Sequence, residues 1–128
     1  MIGLALEHLG FRSPADFELR YEGDVGYVAA WRSALPQPTP AEIDAAELPA
    51  TKAFRIAANR AECSRRIFAR YPAGRQLSAL AGLYDPANVS AMHDWIASCI
   101  AVENTAADLI EAATTVQAVE AVTVAWPV

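Results

Sequence analysis

Phe17, Leu19 and Tyr21 alternate with polar neighbours, and Tyr27, Ala29 and Trp31 alternate again a few residues later. A period of two places such residues on one side of an extended chain, so the pattern predicts two strands with one face buried. Between them, Glu22-Gly23-Asp24-Val25-Gly26 supplies two glycines able to take positive φ. That predicts a hairpin whose loop is longer than two residues. A register slip of one would put Phe17, Leu19, Tyr27 and Trp31 into water, so the pairing should be firmly specified.

The rest of the chain is predicted to be mostly helical. Residues 2 to 9 suit one or two helical turns with Ile2, Leu4 or Ala5, and Leu9 inward, and Ser13-Pro14 marks a turn. Leu35-Pro36-Gln37-Pro38-Thr39-Pro40 reads as an extended linker, because each proline disfavours the helical conformation in the residue before it. It ends on a helix start: Thr39 at the N-cap, Pro40 at the first helical position and Glu42 closing a capping box. Leu48-Pro49 should interrupt that helix, and Thr51 should cap a second one running to about Arg70. On the second helix Phe54, Ala57, Ala58, Ala61, Ser64 or Arg65, Phe68 and Tyr71 form the expected apolar stripe, with Arg55, Asn59, Glu62 and Arg66 on the solvated side. A shorter helix from about Arg75 to Leu83 should bury Leu77, Leu80 and either Leu83 or Tyr84. Asp85-Pro86 repeats the cap-then-proline signal and opens a last long helix, about 87 to 112. Its inward face should carry Val89, Met92, Trp95 or Ile96, Cys99, Val102, Ala106, Leu109 and Ala113. After a helical turn near 116, Val122, Val124 and Trp126 alternate as a terminal strand.

Together these elements predict an α+β fold. The N-terminal β-hairpin and the C-terminal strand should form a small antiparallel sheet, packed with a helical hairpin or three-helix layer. One domain is expected over residues 1–128. It comprises a hairpin region (1–35), a Pro-rich linker with a short helix (36–50), a helical region (51–113) and a C-terminal strand (114–128).

Composition narrows the chemistry. The formal net charge of -5 argues against binding that rests on neutralising nucleic-acid phosphates. No run approaches the ~20 apolar residues needed to span a bilayer, so a soluble protein without membrane partners is expected. Cys63 and Cys99 form no CxxC pair; buried, reduced thiols are the favoured reading, with a bridge between facing helices as the alternative. His93 has Ala97, not a ligand, four residues on, and Ser78, Ser90 and Ser98 lack a nucleophile-elbow context. No metal, cofactor or catalytic residue is therefore assigned, and the expectation is a non-enzyme. The arginines Arg60, Arg65, Arg66, Arg70 and Arg75 are read as a solvated helix face, with an anionic partner surface as the alternative.

The segment from Asp16 to Glu42 resembles small proteins of tailed-phage and prophage tail gene clusters, the XkdW-like group. The matching residues are Asp16, Phe17, Leu19, Arg20, Gly23, Gly26, Tyr27, Trp31, Pro36, Gln37, Pro38, Thr39 and Glu42. The C-terminal half, with its Ala-rich helix, central Trp95 and terminal Trp126-Pro127, is similar in outline to tail-fibre assembly proteins. The resemblance implies a non-catalytic tail protein, acting in tail-fibre or baseplate assembly or as a small virion subunit. It implies host cytoplasm during assembly, or the virion tail, as its location. The expected partner is a fibre or baseplate protein, with self-association as a further expectation. Tyr21, Tyr27, Trp31, Pro36, Gln37, Pro38 and Trp126 are the candidate partner-binding residues. The alternative is a prophage- or host-encoded regulatory or inhibitor domain that binds a single non-tail protein.

Overall fold

The computed structural model describes residues 1–128. In chain order it contains α1 (Ile2–His8), β1 (Phe17–Glu22), β2 (Val25–Trp31), α2 (Pro40–Arg70), α3 (Ala73–Leu80), α4 (Pro86–Ala112) and α5 (Val116–Glu120). The fold is α+β, as the patterning predicts. Two compact units divide the chain: a hairpin unit of Met1–Arg55 with Ala113–Glu120, and a helical unit of Ile56–Ala112 with Ala121–Val128.

In the hairpin unit β1 and β2 form a two-stranded antiparallel sheet. Phe17 opposes Trp31 and Glu18 opposes Ala30, but Leu19 opposes Val28, which leaves Ala29 as the extra residue of a β-bulge. The bulge corrects the predicted face. Beyond it Val28 and Gly26, not Ala29 and Tyr27, share a side with Leu19 and Tyr21, while Tyr27 opposes Arg20 and stays exposed. Glu22 opposes Val25, so the loop is the two residues Gly23-Asp24 and not a longer one. Positive φ falls on Gly23 (+62°) and not on Asp24, the pattern of a type II′ turn.

The core of this unit is Ala5, Leu6, Phe17, Ile43 and Ala46, with Ile2, Phe11, Leu19, Val28 and Trp31 packed against it. On α1, Leu6 is buried and Leu9 is exposed, the reverse of the expected inward set at that end. The capping box forms as predicted: Thr39 N–H donates to Glu42 Oε2 (2.8 Å) and Glu42 N–H to Thr39 Oγ1 (3.2 Å). Pro49, however, does not end the helix. α2 runs through it, and Thr51 is buried mid-helix with its hydroxyl donating to the Glu47 carbonyl at 2.8 Å. Burial of Ala46, Ala50 and Thr51 on either side outweighs the missing proline N–H.

In the helical unit Cys63, Ala79, Met92, Cys99, Ala106 and Ile110 are buried. Both cysteines are free thiols. Asp85 caps α4 through its Oδ1, which accepts the Ala87 N–H at 2.9 Å, as its position before Pro86 predicts. Four expectations fail here. On α4 Leu109, expected inward, is exposed. On α2 Ala57, Ala58, Ala61 and Phe68 are exposed, as is Phe54 just before this unit begins, and the inward flank carries Asn59, Glu62, Cys63 and Arg66. On α3 only Ala79 is buried; Leu77, Leu80, Leu83 and Tyr84 stand in solvent. Finally, residues 121–128 form no strand and add nothing to the hairpin sheet. Val122, Val124 and Trp126 do alternate as the half-covered residues, but the cover comes from helical side chains. Arg66 stacks 5.2 Å from the Trp126 ring centre, and the Val128 backbone oxygen accepts from Arg70 (3.0 Å) and Trp95 Nε1 (3.3 Å). A period of two follows from one-sided cover of an extended chain, whatever supplies the cover.

A candidate protein-docking surface on the hairpin unit

Two neighbouring grooves open on the hairpin unit. The first, about 310 Å3, lies between Gly26-Tyr27-Val28 of β2, the linker at Gln37 and Pro38, and Ile43, Asp44 and Glu47 of α2. The second, about 350 Å3, is lined by Met1, Tyr21, Asp24 and Val25. Ile2, Gly26 and Glu47 line both. Gly26 makes the join between them feasible: a Cβ there would sit 2.8 Å from the Tyr21 ring and 2.9 Å from Ile2 Cγ2.

The linker wall is held at both ends. Trp31 Nε1–H donates to the Leu35 carbonyl at 2.8 Å, the Leu35 N–H reaches Ser33 Oγ at 3.2 Å, and the capping box anchors Thr39. Between these anchors Pro36 and Pro38 restrict the backbone, so the groove wall loses little freedom when a partner binds. Trp31 itself packs edge-on against Phe11, with ring centres 4.7 Å apart. At the same end of the hairpin Arg32 ties Glu18 (2.8 Å) to the Pro14 carbonyl (3.2 Å). The Arg32 hydrogen bond, helped by Arg20, holds the Glu18 carboxyl below its ordinary range.

The rim is acidic. Asp24, Asp44 and Glu47 border the grooves, and the Met1 amino group, 3.0 Å from Glu47, is the cation among the lining groups. The apolar floor of Ile2, Val28 and Ile43 under an acidic rim suits an extended polypeptide carrying aliphatic and basic side chains. A two-stranded sheet also leaves one ladder edge on each strand without a strand partner.

The structure brings Tyr27, Gln37 and Pro38 together in the first groove and places Tyr21 in the second. Pro36 is exposed and lines neither groove. Trp31 works from behind, as core and as anchor of the linker. Trp126 belongs to the helical unit, against Arg66. Sequence reasoning missed Ile2, Gly26, Val28, Ile43, Asp44 and Glu47. The i, i+4 pair Ile43 and Glu47 directly after a strong capping box was the available signal, since it faces whatever the linker leads away from.

Elsewhere, His93 lies on α4 in an apolar hollow with Phe68, Leu77 and Met92, and neither cysteine lines it. Burial pushes the Cys63 thiol up, with Cys99 and Glu103 adding to the rise. Burial also raises the Cys99 thiol, against the pull of Arg66 and Arg70. Raised thiols are weak nucleophiles near neutral pH.

Residues 11–55 match the family model described as XkdW protein. No curated protein and no solved structure matches the chain. The matched segment stops at residue 55, so it gives the likeness of the helical half to tail-fibre assembly proteins no support. It ends where the N-terminal block of the hairpin unit ends, and it contains both strands, the linker and the α2 wall of the grooves. Over residues 11–55, which supply most of the candidate surface, this chain is similar to the XkdW family.

Proposed function

We propose that this chain is a non-catalytic tail protein of a tailed phage or prophage. It acts in tail-fibre or baseplate assembly, or as a small tail-associated virion subunit, by docking a polypeptide on the hairpin unit. One observation carries the reading: the XkdW-matched segment supplies every groove-lining residue except Met1 and Ile2. Tyr27, Gln37 and Pro38 serve as contact residues, Tyr21 extends the surface past the hairpin turn, and Asp24, Asp44 and Glu47 select a partner with basic side chains. A partner strand added along a hairpin edge would gain backbone hydrogen bonds as well.

The test is capture from induced cells with the tagged full chain beside a Tyr27→Asp, Pro38→Asp double variant. Tyr27 and Pro38 lie outside the core cluster, so circular dichroism should be unchanged. A fibre or baseplate protein should be recovered with the parent chain and reduced by about tenfold or more with the variant. Recovery of a non-tail protein in its place, or equal recovery by both chains, overturns the proposal. Protein quantification in purified particles separates the two tail roles, because a virion subunit is present in stoichiometric amount and an assembly helper is scarce.

A further inference from the structure

We propose that the open face of the helical unit formed by α3 with the adjoining flanks of α2 and α4 is a self-association surface, occupied by the same face of a second copy of this chain. At its centre is a hollow of about 410 Å3 lined by Phe68 of α2, Leu77 and Leu80 of α3, and Met92 and Ile96 of α4. Leu77 and Leu80 recur at the spacing of a buried helix face, yet they are 66% and 85% exposed, and Leu83 just beyond is 73% exposed. Phe68 is 52% exposed. A contiguous group of this kind on a lone chain marks an interaction surface.

Three features select a second copy as the occupant. A two-fold interface must be self-complementary, and this face carries both projections, Leu77 and Leu80, and a recess between helices able to receive them. The lining residues include no Asp, Glu, Lys or Arg; Gln76 and His93 are its polar members. A partner chosen by charge has nothing to grip there, whereas an uncharged face can meet itself without repulsion in a chain of net charge -5. The area is also adequate. Four side chains exposing on the order of 100 Å2 each supply about half of the ~800 Å2 per partner of a standard interface, close to the usual apolar share.

Sedimentation velocity of the full chain, from about 1 to 100 μM, should show a reversible dimer. Leu80→Glu should weaken it by about thirtyfold or more. In a second arm, Leu80→Cys under mild oxidation should yield a covalent dimer, and Asp24→Cys at the hairpin tip should not. This arm decides the matter if Leu80→Glu alters the circular dichroism spectrum. A parent chain that stays monomeric throughout, a dimer indifferent to Leu80→Glu in a folded variant, or equal cross-linking at positions 24 and 80 overturns the proposal.

Discussion

A methyl group at position 26 would press on two neighbours at once, the Tyr21 ring and the Ile2 side chain. Gly23, one turn residue away from the strand, meets nothing within 4 Å but holds φ at +62°. The two glycines of the hairpin are therefore needed for different reasons, one for conformation and one for space. Gly26→Ala should lower stability by about 1–3 kcal/mol, the usual cost of overpacking. Gly74→Ala on α3, where a Cβ meets nothing, should raise it by about 0.5 kcal/mol. Thermal melts of both variants check this; equal shifts would remove the steric role given to Gly26. At this scale the sequence was read correctly for Phe17, Leu19 and Trp31 and wrongly for Tyr27. A single unpaired residue, Ala29, reverses the faces of the strand, and nothing in an alternating pattern announces a bulge.

Helix α2 shows the same competition at the level of an element. Its start is local chemistry: Thr39 and Glu42 satisfy each other's N–H groups, and Pro40 takes the first helical position, where no N–H is needed. Its continuation past Pro49 is not local, because a proline interrupts helices that have only themselves for support. Here Ala46 and Ala50, buried one turn apart, hold the axis on both sides of the proline. Pro49→Ala should restore a backbone bond to the Ala45 carbonyl. The gain should be about 1 kcal/mol net of unfolded-state entropy, visible as a higher denaturant midpoint at constant slope. A drop in the midpoint would show that the proline ring itself supports the helix. The exposed stripe of α2 is another non-local outcome: helical spacing marks Phe54, Ala57, Ala61 and Phe68 as one face but not as the inward one.

Across the whole molecule, each unit carries one half-buried carboxylate set by arginines. Glu18 in the hairpin unit is lowered chiefly by the Arg32 hydrogen bond. In the helical unit hydrogen bonds from Arg65 and Arg66, at 2.7 Å and 2.6 Å, lower Glu62 from 4.5 to about 2. A carboxyl with a depressed folded value stabilises the protein above its unfolded value and loses that contribution as pH falls. For Glu62 the window therefore runs from 4.5 down to about 2. Both groups remain partly open to solvent, so solvent and salt keep the effect small. Acid titration of stability should show a loss in this window, and Glu62→Gln should flatten it. An unaltered slope in that variant would assign the acid sensitivity elsewhere. Since Arg66 also stacks on Trp126, the fluorescence of that region is expected to follow the same transition.

The sequence by itself determined the α+β class, the hairpin, the capped starts of α2 and α4, and the XkdW-like character of the N-terminal segment. All of these rest on neighbours within a few residues: alternation, cap chemistry and proline position. Only the tertiary structure decided that Pro49 stays inside a helix, that residues 121–128 lie on helices and not on the sheet, and that Leu77 and Leu80 are left open. It also decided that Gly26, Ile43 and Glu47 join Tyr27 and Pro38 in one groove. The physical reason is that periodicity states which residues share a face, whereas burial depends on what the rest of the chain sets against that face.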